Sequence, residues 1–156
     1  NGMDGKSGDV PATMLDFTFM KNTAGQSGRP VHKEQTVAMR WTDGLELPRF
    51  SMRPEGLLDK VGAALGQQDI DFPSHPHFSS RYRLTGGDED EIRSLFDGDV
   101  IDYLERHEGL WVESLHGHVI IYRRGKRVAP KALRDWLALA LEINALLRQA
   151  STPVRG

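Results

Sequence analysis

The chain has 156 residues, of which 38% are hydrophobic and 27% charged, and its formal net charge is −2. This composition is typical of one globular domain with its own hydrophobic core, and the slightly acidic balance argues against a nucleic-acid partner, which favours a basic domain. Because the chain contains no cysteine, disulfides, thiolate metal ligands and cysteine nucleophiles are excluded.

The first strands are predicted from period-two alternation. Residues 1–13 are small, polar and glycine-rich, and we expect them to be poorly ordered. Residues 14–21 alternate and form the first predicted strand, which places three apolar side chains on one face: Leu15, Phe17 and Phe19. Residues 32–41 form the second predicted strand. The modest loop between the two predicts an antiparallel hairpin.

The middle of the chain contains several prolines. Residues 47–55 predict a third strand that contains Pro48 and Pro54, which suits a sheet edge or a strand end because proline cannot donate to a ladder. Apolar residues at helical spacing over 57–66 predict a helix. A fourth strand is predicted over Phe78–Gly86.

Two short helices and a hairpin come next. Gly98 interrupts the helical pattern, and Asp97 or Asp99 can cap the second helix. In the hairpin, a two-residue turn at His116 and Gly117 predicts three opposed pairs: Leu115 with His118, Glu113 with Ile120, and Trp111 with Tyr122. Both faces of this hairpin are largely apolar, which predicts a central position in the sheet.

A long amphipathic helix that begins near Pro130 closes the order of elements. The predicted order is β-β-β-α-β-α-α-β-β-α. It indicates an α+β fold, in which helices pack on one face of a mainly antiparallel sheet. We expect a single domain over residues 14–150 and a disordered tail over residues 151–156.

The segment over residues 67–82 concentrates carboxylates, imidazoles and prolines. Side chains two residues apart point to the same side of an extended chain, which makes four residues candidate metal ligands: Asp69, Asp71, His75 and His77. One hypothesis is therefore a metal-binding domain or a metal-dependent hydrolase. The alternative is a connector that Pro73 and Pro76 stiffen and that Ile70 and Phe72 anchor in the core. We favour the connector and expect no cofactor.

The loop after the hairpin is basic, with four cationic residues close together: Arg123, Arg124, Lys126 and Arg127. Such a cluster can bind phosphate groups or an anionic membrane surface. The alternative is a solvated loop, which agrees better with the slightly acidic chain. No G-x-S-x-G elbow or comparable catalytic signature occurs, so no catalytic residue is assigned.

A set of short motifs occurs in a fixed order along the chain: Gln35-Thr36-Val37, Leu47–Phe50, Arg53–Gly56, Asp69–Phe72, His75-Pro76 and Phe78-Ser79. Over roughly Leu15–Gln149 these motifs resemble a group of uncharacterised bacterial proteins in which a hydrophobic N-terminal membrane anchor precedes one soluble domain. The resemblance implies a domain held at the cytoplasmic face of a membrane. It supplies no catalytic residues.

Together these observations predict a non-catalytic binding or interaction domain. Its expected partner is an unknown protein or a membrane surface, and no nucleic acid is expected. Metal-dependent chemistry in the Asp69–His77 segment and anion binding by the Arg123–Arg127 loop are the alternatives.

Overall fold

The computed structural model describes residues 2–7, 10–21, 31–41, 47–56 and 68–152. These residues form one antiparallel sheet with helices on one of its faces, as the sequence predicts. The predicted helix over residues 57–66 and most of the predicted tail over residues 151–156 lie outside the described residues.

The sheet has seven strands in the order β1-β2-β3-β7-β6-β4-β5. Their bounds are Gly2–Ser7 for β1, Val10–Lys21 for β2, Val31–Trp41 for β3, Phe50–Pro54 for β4, Tyr82–Gly86 for β5, Trp111–Leu115 for β6 and His118–Tyr122 for β7. The hairpin of β6 and β7 has the predicted register and lies between β3 and β4, so its predicted central position is confirmed.

Four helices complete the described part of the fold. They are α1 at Pro76–Arg81, α2 at Glu89–Leu95, α3 at Gly98–Glu105 and α4 at Leu133–Ser151, the last preceded by a 3₁₀ turn at Pro130–Ala132. The predicted break between α2 and α3 is confirmed. The Oδ1 atom of Asp97 accepts a hydrogen bond of 3.0 Å from the backbone N of Val100, which caps α3.

The N-terminal segment differs from the prediction. Residues 1–13 were expected to lack order, but Gly2–Ser7 form edge strand β1, and β2 begins at Val10 rather than Met14. An exposed strand edge offers unpaired backbone donors and acceptors, and a polar, glycine-rich segment can pair with them without contributing apolar side chains. Hydrophobic alternation does not reveal such a strand.

The predicted fourth strand also begins later than expected, at Tyr82. Phe78 lies in α1 instead, because Pro76 sits in the first turn of that helix, where its fixed φ suits the helix. The Phe78 side chain is fully buried, and its ring centroid lies 5.8 Å from that of Phe72 and 6.1 Å from that of Phe96. One helical turn therefore aims this aromatic ring into the core.

The core lies between the helices and one face of the sheet. Opposed strand residues share a face, and on this face they include Met14, Ala38, Met52, Leu84, Val112 and Ile121, all of them buried. The helices contribute buried residues to the same cluster, including Ile92, Phe96, Ile101, Leu104, Ile143 and Leu147. We term the opposite side of the sheet the open face, and none of its described side chains belongs to that cluster.

Candidate functional site

We term Asp69–His77 the Asp/His segment. Its first two residues, Asp69 and Ile70, run along the outer edge of β5. The backbone N of Ile70 donates to the carbonyl of Leu84 at 2.8 Å, and the Oδ1 atom of Asp69 accepts from the backbone N of Leu84 at 3.0 Å. The Asp69 carboxylate thus takes the place of a backbone carbonyl at this sheet edge. Burial of the Asp69 carboxylate raises its pKa, and the hydrogen bond from Leu84 partly offsets this increase.

The remaining candidate metal ligands do not join Asp69. The Nδ1 atom of His75 lies 3.0 Å from the Ser74 hydroxyl, whereas the side chains of Asp71 and His77 are exposed. In the described part of the chain, no three histidine, aspartate or glutamate side chains are placed to hold a metal ion. The geometry therefore agrees with the connector and gives the metal hypothesis no support.

Three of the four basic residues of the Arg123–Arg127 loop point to different partners. The guanidinium of Arg123 lies 5.0 Å from the ring centroid of Trp136, and that of Arg124 lies 5.3 Å from that of Trp111. Arg127 forms an ion pair of 3.0 Å with Asp16 on β2. These separate contacts give the anion site that the sequence suggested no support.

The same loop instead connects the β2–β3 hairpin to the rest of the sheet through hydrogen bonds and an ion pair. Thr36, which is buried, donates its hydroxyl to Asp16 at 2.8 Å and accepts from the backbone N of Val128 at 2.9 Å. The backbone N of Gly125 donates to the side-chain oxygen of Gln35 at 3.1 Å. The hydrogen bond from Thr36 lowers the pKa of Asp16, and the positive charge of Arg127 lowers it further.

The open face has an apolar half on β2, β3 and β7. Strand pairing places its side chains in adjacent rows. Eight of the described ones are Thr13, Leu15, Phe17, Gln35, Val37, Met39, Ile120 and Tyr122, and Lys33 follows Gln35 at one end of the same β3 row. Leu15 is 42% exposed and Phe17 is 56% exposed, and they are the exposed large apolar side chains of the described residues. None of these eight side chains carries a charge.

The other half of the open face, on β4, β5 and β6, is polar and basic. Arg53 and Arg83 lie opposite each other on β4 and β5. Next to them the Trp111 ring stacks on Tyr122 with centroids 5.5 Å apart, and the Tyr122 hydroxyl donates to Glu113 at 3.1 Å. Arg53 and Arg83 thus lie outside the apolar half.

The sequence shows the alternation in β2 and β3, but it does not show which face of the sheet the apolar side chains occupy. The apolar face of a strand ordinarily packs on the core, yet here Leu15 and Val37 face away from the helices while Ala12 and Ala38 face them. Helix α4 packs against β3 on that side. Small side chains such as Ala38 allow the close approach of a helix, whereas Leu15, Phe17 and Val37 lie on the open face.

An acidic groove of about 650 Å³ lies elsewhere, between α2, the end of α4 and the segment before β4. Its walls combine the apolar side chains of Leu47 and Leu95 with the carboxylates of Asp90 and Glu91. Both acids lie in the exposed first turn of α2, where they complement the helix dipole. That role explains them without a ligand.

No protein-family model, no curated protein and no solved structure matches the chain. Of the helices in the described ranges, none is long and apolar enough to cross a bilayer. The exposed apolar half of the open face is the feature from which a function can be inferred.

Proposed function

We propose that this chain is a non-catalytic interaction domain whose recognition surface is the apolar half of the open face. The observation that carries the proposal is the exposure of Leu15 and Phe17 in the middle of a paired strand. They continue into Val37, Met39 and Ile120, so the exposed apolar surface is contiguous rather than scattered. Contiguous apolar patches on soluble proteins mark interaction sites.

The partner that fits this surface best is a second copy of the chain. A two-fold contact brings the same patch of both copies together, so any charge within the patch would meet its own like charge. The eight side chains named above are uncharged, which lowers that cost, and Lys33 adjoins them at one end of β3. Arg53 and Arg83 lie toward the far side of the sheet, outside the overlap of the two apolar halves.

Sheet packing supplies a geometry for this contact. Two sheets pack face to face with their strands about 30° apart and their inner side chains interdigitated over about 10 Å. Phe17 and Leu15 of each copy would then fill the space over Val37 and Met39 of the other. The resulting arrangement has helices on its two outer sides and both apolar halves in the middle.

A membrane-tethered context makes even weak self-association effective. The sequence resembles the soluble domain of anchored bacterial proteins, and anchoring at a cytoplasmic membrane face confines two copies to a small volume. Such confinement raises their effective concentration and turns a weak contact into a populated one. We therefore propose assembly at a membrane surface as the setting in which the domain acts.

The test is sedimentation of the wild-type chain and of Phe17→Ser over micromolar to millimolar concentrations. We expect a reversible wild-type dimer, and dissociation at least about tenfold easier for Phe17→Ser because a central aromatic side chain is lost from the interface. Because Phe17 is 56% exposed in the single chain, its replacement should change the free energy of unfolding of the monomer by only about 0.5 kcal/mol.

Thr18→Ala is the control, because Thr18 is exposed and points to the other side of β2. It should leave the dimer intact. A wild-type chain that stays monomeric throughout would overturn the second copy as partner. A dimer that Phe17→Ser does not weaken would show that another surface is used. Binding of the monomer to anionic but not neutral vesicles would reassign the surface to a membrane.

A further inference from the structure

Two arginines lie side by side on the part of the open face that the apolar half does not occupy. Arg53 on β4 and Arg83 on β5 are directly opposed in the antiparallel register. The Cβ atoms of such a pair are about 4.5–5.5 Å apart, and both side chains project from the same face of the sheet. Like charges in this arrangement destabilise a sheet. The pairing of β4 and β5 therefore holds two guanidinium groups close together against their mutual repulsion.

No counter-charge in the described part of the chain offsets this repulsion. Both arginines are half-buried, and within the described ranges neither side chain has a hydrogen-bond or ion-pair partner. The nearest carboxylates have other partners or are exposed. Asp69 accepts from the backbone N of Leu84, and Glu55 is exposed beyond the end of β4. Glu113 accepts from the Tyr122 hydroxyl on β7, which lies on the side of β6 away from β4.

Two hydroxyl groups adjoin the arginines. Ser51 and Thr85 are also directly opposed on β4 and β5, and each lies two residues from an arginine on the same face. Both are half-buried, and neither hydroxyl has a protein partner among the described residues. We term these four side chains the arginine patch. Strand geometry makes the patch about 5 Å wide and about 7 Å long.

We propose that the arginine patch binds a terminal phosphate group, with Arg53 and Arg83 as its charged contacts. Planar guanidinium groups match the geometry of phosphate oxygens and supply several donors each. A doubly charged phosphate offsets both positive charges, and its oxygens accept from the guanidinium groups and the two hydroxyls together. A carboxylate has one charge and two oxygens, so it satisfies the patch less completely.

This inference does not depend on the proposed function, because the arginine patch lies outside the apolar half of the open face. A terminal phosphate group occurs both on small soluble molecules and on the headgroup of phosphatidic acid. The patch is on a sheet face that the helices do not cover, so either source can reach it.

The experiment is an NMR titration of the full chain with inorganic phosphate, and with acetate at equal ionic strength, at slightly alkaline pH. We expect phosphate to shift the amide signals of β4 and β5 and to bind more tightly than acetate. Arg83→Met retains most of the side-chain volume and removes the charge. It should weaken phosphate binding at least about tenfold, and Ser51→Ala should weaken it roughly 2- to 10-fold.

Melting curves in chloride separate binding from a structural role. Arg83→Met should melt no lower than the wild type, because it removes one of two opposed like charges. Arg134→Met is the matched control, because Arg134 is an exposed arginine on α4, on the other side of the sheet. It should keep the phosphate response. Phe17→Ser should keep it as well, so that failure of the dimer and failure of the arginine patch are distinguishable.

The proposal is overturned if phosphate leaves the signals of β4 and β5 unchanged, or if the wild type and Arg83→Met bind it equally. Acetate that binds as tightly as phosphate would also contradict it. Phosphatidylcholine vesicles with and without phosphatidic acid distinguish the two sources. Vesicle binding that requires phosphatidic acid, is lost in Arg83→Met and persists in Phe17→Ser would identify a lipid headgroup. Phosphate binding without vesicle binding would identify a soluble ligand.

Discussion

Two hairpins of the sheet, β6–β7 and β2–β3, differ in what covers their apolar side chains. The β6–β7 hairpin is central, with Val112 and Ile121 buried under the helices and Trp111 on the other face screened by Tyr122 and Arg124. The β2–β3 hairpin exposes Leu15 and, most of all, Phe17 to solvent. Period-two alternation thus identifies a strand but does not say which of its faces the rest of the chain covers.

Two neighbouring isoleucines on β7 test how differently the two faces of the sheet are covered. Ile121 is fully buried against the helices, whereas Ile120 is half-buried on the open face. Ile121→Ala should lower the free energy of unfolding by about 2–5 kcal/mol through lost burial and a cavity. Ile120→Ala should cost no more than about 1 kcal/mol. Similar costs in denaturant unfolding would mean that the two faces are equally covered.

A second prediction concerns the loop that joins the β2–β3 hairpin to the body. Thr36→Val keeps the shape of the side chain but leaves the Val128 N–H without its acceptor, which should cost about 1–3 kcal/mol. Thr18→Val, at an exposed position of β2, is the control. Denaturant unfolding measures both. Equal effects would mean that the loop does not hold the hairpin.

The same substitution should change the dependence of stability on pH. The folded-state pKa of Asp16 lies below its ordinary value of 3.8, so its contribution is present above that value and is lost as pH falls through the folded pKa. Thr36→Val removes the hydrogen bond that contributes most to this lowering. Its loss of stability relative to the wild type should therefore shrink in acid, and a constant difference would contradict the assignment.

The smallest expected effect is at the sheet edge that the Asp/His segment covers. Asp69→Ala leaves the Leu84 N–H without its acceptor and should cost about 1 kcal/mol. Asp69→Asn keeps an acceptor oxygen and removes the buried charge. It should therefore be at least as stable as the wild type at neutral pH.

The dependence of stability on pH that we expect from Asp69 has the opposite sign to that expected from Asp16. Burial raises the folded-state pKa of Asp69 above 3.8, so the favourable contribution of its protonated form is full below that value and is lost as pH rises through the folded pKa. Asp69→Asn should gain stability relative to the wild type over that interval. Thermal unfolding between pH 3 and pH 7 would show it, and a loss of stability at neutral pH would mean that the carboxylate charge itself is required.

Most elements could be predicted because they depend on local rules. The turn at His116 and Gly117 fixed the register of β6 and β7, and Asp97 marked the start of α3. The edge strand Gly2–Ser7 could not be predicted, because backbone pairing holds it rather than an apolar pattern. The sequence favours a connector over a metal site for the Asp/His segment, but its hydrogen bonds to Leu84 depend on the position of β5.

The α+β class, most strands and the central hairpin follow from local sequence, because alternation, turn residues and caps act over a few positions. Tertiary packing sets which face of β2 and β3 is open, since this depends on the register with β7 and on the packing of α4 against β3. It also brings Thr36 to the backbone N of Val128, 92 residues later in the chain. Neither relation leaves a local pattern, because each depends on how distant elements pack.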